Sequence, residues 1–201
     1  IMKLAVPMML AAYLHPRRLP PDPRSLLVSV GILAVPAALI ARQPDLGTAL
    51  LVAASGVFVL FLSGLQWRVI FSLAGLAAAA APALWWVMHD YQRQRVLTFL
   101  DPESDPLGSG WNIIQSKIAV GSGGLLGKGW LHGTQSRLEF IPERHTDFIL
   151  AVLSEEFGLV GVLLLLLLYL FIVGRGLYIA GLARTSYGRL LAGSISMTFF
   201  L

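Results

Sequence analysis

Residues 121–161 read GSGGLLGKGWLHGTQSRLEFIPERHTDFILAVLSEEFGLVG, and the way this stretch is read decides the fold. It opens as a glycine-rich loop, passes through the polar run Pro142-Glu143-Arg144-His145-Thr146-Asp147, and turns without a break into a long apolar segment that carries Glu155 and Glu156. Polar chemistry is thereby delivered to the edge of an apolar medium. The composition around it says what that medium is. The chain of 201 residues is 56% hydrophobic and only 13% charged, and its mean hydropathy is +0.74. Soluble domains carry about a quarter charged residues, so the chain reads as an integral membrane protein.

A helix needs about twenty apolar residues to cross a bilayer. Six candidate spans meet or approach that length, at 1–15, 25–41, 47–65, 69–89, 148–174 and 188–201. The runs lack the period-two alternation of a membrane barrel, and lipid leaves no exposed strand edge a partner. The expected class is therefore all-α, a polytopic transmembrane helical bundle, with a large loop at 90–147 containing short interfacial helices. The chain opens and closes inside apolar runs, so it is expected to be a fragment of a single transmembrane domain.

The net charge of +4 does not point to nucleic acid, because the basic residues are dispersed through short loops instead of lining one face. Arg17, Arg18 and Arg24, then Arg68, then Arg175, Arg184 and Arg189 fall on alternate connections, which places those three loops on the cytoplasmic side. Loops 42–46 and 90–147 are then outside. The chain has no cysteine, which removes thiol chemistry. Its histidines, at 15, 89, 132 and 145, lack metal-ligand spacing. Within the long outer loop, Trp111, Ile114 and Ile118 recur at helical spacing and predict a short amphipathic helix at the interface.

The glycine run invites a phosphate-loop reading, which fails. That pattern needs Gly where Ser122 stands and Ser or Thr where Gly129 stands. Two readings remain for it: a plain hinge, or a loop whose backbone N–H groups and Lys128 approach a pyrophosphate.

Asp147 sits where loop becomes helix and is either a helix N-cap or a functional carboxylate. At about 100° per residue it shares a face with Ala151, Ser154, Gly158 and Gly161, a stripe that admits a neighbouring helix or a ligand. Glu155 lies about 80° from the stripe and Glu156 about 180° from it. An acid inside a span costs about 2.5–3.5 kcal/mol, so both need partners, either as links between helices or, for Glu155, lining a crevice with Asp147. Lys3 is an intramembrane cation that needs an acidic or phosphate partner. Asp45, in Gln43-Pro44-Asp45-Leu46-Gly47-Thr48, reads as a cap for the next helix, on the same outer face as Asp147.

Four stretches carry a family resemblance: IMKLAVPMM at 1–9, QPDLGT at 43–48, HDYQRQRV at 89–96, and the long run from Leu100 to Gly158. Together they resemble the SEDS proteins of shape, elongation, division and sporulation, across essentially the whole chain. The GTQSRLEFIPERHTDF segment resembles the elongation branch, since the division branch usually has Ala in place of Arg144.

The resemblance implies a peptidoglycan glycosyltransferase of the bacterial inner membrane. Such an enzyme polymerises lipid II on the periplasmic side during cell elongation, with a class B penicillin-binding protein and the elongation machinery as partners. It also implies about ten spanning helices in the whole protein, and an essential aspartate in the His-Thr-Asp-Phe motif, which matches Asp147. Asp147 is then expected to act as general base. Lys3, Asp45, Lys117, Lys128, Arg144, His145 and Glu155 are the expected substrate-binding residues. Lys3, Lys117, Lys128, Arg144 or a divalent cation such as Mg²⁺ or Mn²⁺ would support the departing pyrophosphate. No nucleotide is required. Two other readings stand beside this one, a lipid II flippase and a non-catalytic scaffold for the penicillin-binding partner.

Overall fold

The structure is a computed structural model that describes residues 1–201 except 44, 89, 102, 104–109 and 135–146. Among the described residues it is helical: α1 (Met2–Leu14), α2 (Pro23–Ala41), α3 (Leu46–Leu62), α4 (Trp67–Val87), α5 (Asp90–Leu100), α6 (Trp111–Ser122), α7 (Ile149–Leu182) and α8 (Ser186–Phe200). The chain divides into two units, one of Ile1–Pro82 with Tyr169–Leu201 and one of Ala83–Leu168.

In the first unit α3 packs against α1, α2 and α8, and α1 packs against α2 and α8. The core is apolar and drawn from one face of each helix. Val6, Leu10 and Leu14 recur every four residues along α1 and meet Val52 and Val59 of α3, Leu33 of α2 and Leu190 of α8. Four-residue spacing keeps these side chains on one stripe.

The serines buried between these helices bond back to their own backbone. Ser29 Oγ donates to Ser25 O at 2.8 Å and Ser55 Oγ donates to Val52 O at 2.7 Å. A hydroxyl buried without a partner would be costly, and this back-bonding lets a small polar residue sit where helices approach closely. Outside the core the order inverts, with Leu164, Leu167 and Phe171 of α7 exposed. Of these helices α2 and α7 are each long and apolar enough to cross a membrane, and α1 and α3 are shorter apolar helices.

Helix starts follow local chemistry. Asp45 Oδ1 accepts from Thr48 N at 3.0 Å and caps α3, and Thr185 Oγ1 accepts from Gly188 N at 3.1 Å and caps α8. Before α2, the Ser25 hydroxyl donates to Asp22 at 2.5 Å and holds that carboxyl below the usual carboxylate range. Tyr187 N donates to His15 Nδ1 at 3.2 Å, so the connection after α1 meets the start of α8. These are two of the loops that the charge pattern assigns to one face.

Two expectations need correction. The helix expected at 148–174 runs to Leu182, so Arg175 lies in a helix instead of a loop, its guanidinium 5.2 Å from the Tyr178 ring centre. It is also not one continuous helix. Gly158 inside it has φ 62° and ψ −160°, far from helical values, which separates a stub, 149–157, from the rod that follows. The short helix expected at the interface from Trp111, Ile114 and Ile118 is α6. Gln115 and Ala119 are its buried residues, while Ile118 and Val120 are exposed. Where the outside is lipid, small and polar residues go to the protein interior.

Candidate active site

The second unit is organised by the break at Gly158. A helix that stops leaves carbonyls without intrahelical donors, and one that restarts leaves amides without acceptors. Away from water these groups must be met by protein. The glycine run meets them. Lys128 N donates to Glu155 O at 3.0 Å and Gly129 N to Glu156 O at 2.9 Å, while Leu159 N donates to Gly124 O at 2.9 Å and Val160 N to Leu125 O at 3.1 Å.

Docking backbone on backbone requires the absence of side chains. Gly158 sits in a region of φ/ψ space essentially reserved for glycine, and a Cβ there would overlap Gly127 N and the Leu125 carbonyl. Gly127, at φ 78°, would likewise overlap the Glu156 carbonyl if it carried a Cβ. This bears on the pyrophosphate reading of the glycine run. The Lys128 and Gly129 amides are already bonded to the stub's carbonyls, and Gly127 N donates to Gly123 O at 2.9 Å.

Glu155 lies under this docked loop. Its side chain is 0% exposed, and its Oε1 accepts from Lys128 Nζ at 2.7 Å, from Thr134 N at 2.8 Å and from Thr134 Oγ1 at 2.9 Å. Lys128 Nζ also donates to Thr134 Oγ1 at 2.8 Å. A buried carboxylate is tolerable when it is paired and hydrogen-bonded, and this one meets both conditions. The pairing has two consequences for the expected roles. Glu155 does not face an open crevice with Asp147. The Lys128 ammonium, 29% exposed, is neutralised by its partner, which weakens it as a pyrophosphate counter-charge. Glu156 is buried as well, at 7% exposure.

The stripe of small residues finds its neighbour within the same unit. Ala151 packs against Ala119 of α6 with Phe148 alongside, so a helix approaches the upper part of the stripe. Beyond it, the break at Gly158 interrupts the regular spacing that would have carried the stripe on to Gly161. Asp147 stands just ahead of the stub and is exposed. The helix starts without using it as the cap, since Ala151 N and Val152 N donate to the Phe148 carbonyl, at 3.0 and 3.3 Å.

The remaining expected residues are spread out. Lys117 is exposed on α6, Lys3 is exposed on α1 and Asp45 caps α3, the last two in the first unit. Arg144 and His145 lie outside the described residues. Among the described residues no three His, Asp or Glu side chains gather into a set that would hold a metal ion.

Thr134, which positions this site, and Arg93, which ties the end of α4, were not singled out in the sequence. Thr134 is 21 positions from the carboxylate it binds, and no local pattern announces it. Arg93 donates from Nε to Trp85 O and from NH2 to Trp86 O, both at 2.9 Å. It thereby holds the last carbonyls of α4, a role that basic residues favour at helix ends.

A family described as FtsW/RodA/SpoVE cell cycle proteins matches residues 1–201, the entire chain. The chain belongs to that family. Relatives within it include the peptidoglycan glycosyltransferase MrdB of Escherichia coli, 58% identical over 100% of this chain and 55% of that protein. A protein named probable peptidoglycan glycosyltransferase FtsW, from Trichlorobacter lovleyi, is 41% identical over 84% of this chain and 44% of its own length. A solved chain from a peptidoglycan synthase complex that coordinates polymerization and crosslinking superposes with a TM-score of 0.75 at 36% identity, covering 98% of this chain and 54% of that one. The chain thus spans about half the length of the curated relatives it matches. Family membership and the apolar helices together make it a polytopic membrane protein of the all-α class.

Proposed function

We propose that the protein of which this chain is a part polymerises lipid II into glycan strands during cell elongation, as a peptidoglycan glycosyltransferase of the bacterial inner membrane. The observation that carries the reading is the 58% identity to a peptidoglycan glycosyltransferase over all of this chain. Asp147, exposed at the mouth of a long apolar helix, supplies a reactive group in a suitable place. It faces the periplasm in this reading.

Asp147 acts as general base. It takes the proton of the acceptor sugar's hydroxyl as that oxygen bonds to the anomeric carbon of the donor. The bond from that carbon to the pyrophosphate oxygen breaks, and undecaprenyl pyrophosphate leaves with the electron pair. Attack from the opposite face inverts the α-linked donor to a β-1,4 link. The phosphosugar bond supplies the driving force, so no nucleotide is consumed.

Lys3, Lys117 and Arg144 are the cations that stabilise the leaving pyrophosphate in this proposal, with Asp45 and His145 among the substrate contacts. The divalent cation implied by the family resemblance finds no cluster of three ligands among the described residues, and no step is assigned to it. A class B penicillin-binding protein that cross-links the product is the proposed partner. The solved relative from a synthase complex supports that pairing.

The test is polymerisation of labelled lipid II by purified full-length protein with its partner. Asp147→Asn is expected to lower the rate about 10²–10⁴-fold, the usual contribution of a positioned base. Polymer made at the parental rate would remove the base assignment. Movement of lipid II across liposomes by the parent, with no polymer formed, would replace the glycosyltransferase reading with the flippase reading.

A further inference from the structure

We propose that Glu155, with Lys128 and Thr134, is a positioning residue that fixes where the Asp147 carboxylate stands. The inference rests on the reading of Asp147 as the reacting base.

Because Gly158 interrupts the helix, the stub 149–157 is not held in line by the helical ladder of the rod that follows. Its pose is set by what docks on it. The backbone contribution comes from the four bonds between residues 124–129 and the two sides of the break. The side-chain contribution comes from the Lys128, Thr134 and Glu155 set. Asp147 precedes the stub's first residue and moves with it.

Asp147 and Glu155 are eight positions apart, about 12 Å along a helix. A tilt of the stub by about 5° pivoting at Glu155 displaces Asp147 by about 1 Å, and a misplacement of that size can cost about 10²-fold in rate. Glu155 itself is 0% exposed, so it acts through the stub and not on the substrate. The paired charges also explain why the loop needs Lys at 128. Without it a buried carboxylate would lose an ion-pair partner at 2.7 Å.

Positioning and substrate binding by Lys128 predict opposite results for a double variant. In the full-length protein with its partner, Lys128→Met takes the Lys128 cation away from the buried Glu155 carboxylate. It is expected to lower kcat about 10²-fold while the half-saturating lipid II concentration stays within about two-fold, since no contact to bound substrate is lost. Adding Glu155→Gln removes the buried charge and retains an oxygen acceptor for Thr134, and most of the lost kcat should return.

A double variant as slow as the single one, or a half-saturating concentration that rises about ten-fold in Lys128→Met, would overturn the proposal in favour of a direct substrate contact. Amide hydrogen exchange across 128–134 gives a second reading that does not depend on activity. It should quicken in Lys128→Met and slow again in the double variant, and unchanged exchange in both would also overturn the proposal. Thr134→Val, which removes one donor and no charge, serves if Lys128→Met fails to fold, with a smaller fall in kcat and the same exchange signature expected. Asp147→Asn in the same assay separates the two ideas. An active Asp147→Asn ends the base reading whatever the double variant does, and an inactive one with no rescue in the double variant ends only the positioning.

Discussion

The two units of the chain are held together by different means. In the first, side chains do the work: Leu10, Leu14, Val52, Val59 and Leu190 interlock between helices, and the buried serines turn back on their own helices. In the second, the buried apolar cluster among the described residues is the small contact of Ala119, Ala151 and Phe148, with the Trp130 and Phe157 rings 5.6 Å apart beside it. The loop is held by four backbone bonds and an ion pair whose carboxylate is buried. The difference teaches where substitution should be tolerated. A core of interlocked side chains loses stability in proportion to the volume removed, whereas a docked backbone has no room for even one added methyl.

The largest effect should come from Gly158→Ala. It combines a glycine-only conformation with overlap onto Gly127 and Leu125, and about 3 kcal/mol or more should be lost. Thermal unfolding of the detergent-solubilised protein checks this, and a midpoint within a degree of the parent would break the contrast between the units. Leu10→Ala, in the centre of the first unit, should cost about 2–3 kcal/mol, the lower part of the usual range for such a change. Amide exchange over 124–134 should be unaltered in that variant, which sharpens the comparison by showing that the loop does not depend on that core. The smallest effect is expected from Asp45→Ala, which removes the bond to Thr48 N and should cost about 1 kcal/mol in the same melting assay.

Most of the helices were legible because their apolar runs are long and bounded by polar turns, as at His15–Arg24 and Gln43–Asp45. The cap at Asp45 was legible for the same local reason. The helix at Trp111 followed from spacing, but the facing of α6 did not. Periodicity finds a stripe without saying whether protein or lipid lies against it. The small-residue face under Asp147 was visible only as far as Ser154, because counting at 100° per residue assumes a helix that continues through Gly158. The need of Glu155 for a partner could be argued from the cost of a buried acid. Its partners could not be named, because Lys128 and Thr134 reach it through the fold across 27 and 21 residues. The importance of Asp147 came mainly from family resemblance, since by position alone it was equally a cap.

The break at Gly158 also sets a length. Unbroken, the 34 residues of α7 would form a rod of about 51 Å, far longer than a hydrocarbon core of about 30 Å. Such a rod would have to tilt steeply or thicken the lipid around it. Divided at Gly158, the portion from Leu159 to Leu182 measures about 36 Å, which a modest tilt accommodates. The glycine therefore acts as a depth gauge. It lets the membrane take the length it can hold, and the remaining two and a half turns, with Asp147 at their head, take a direction set by the docked loop.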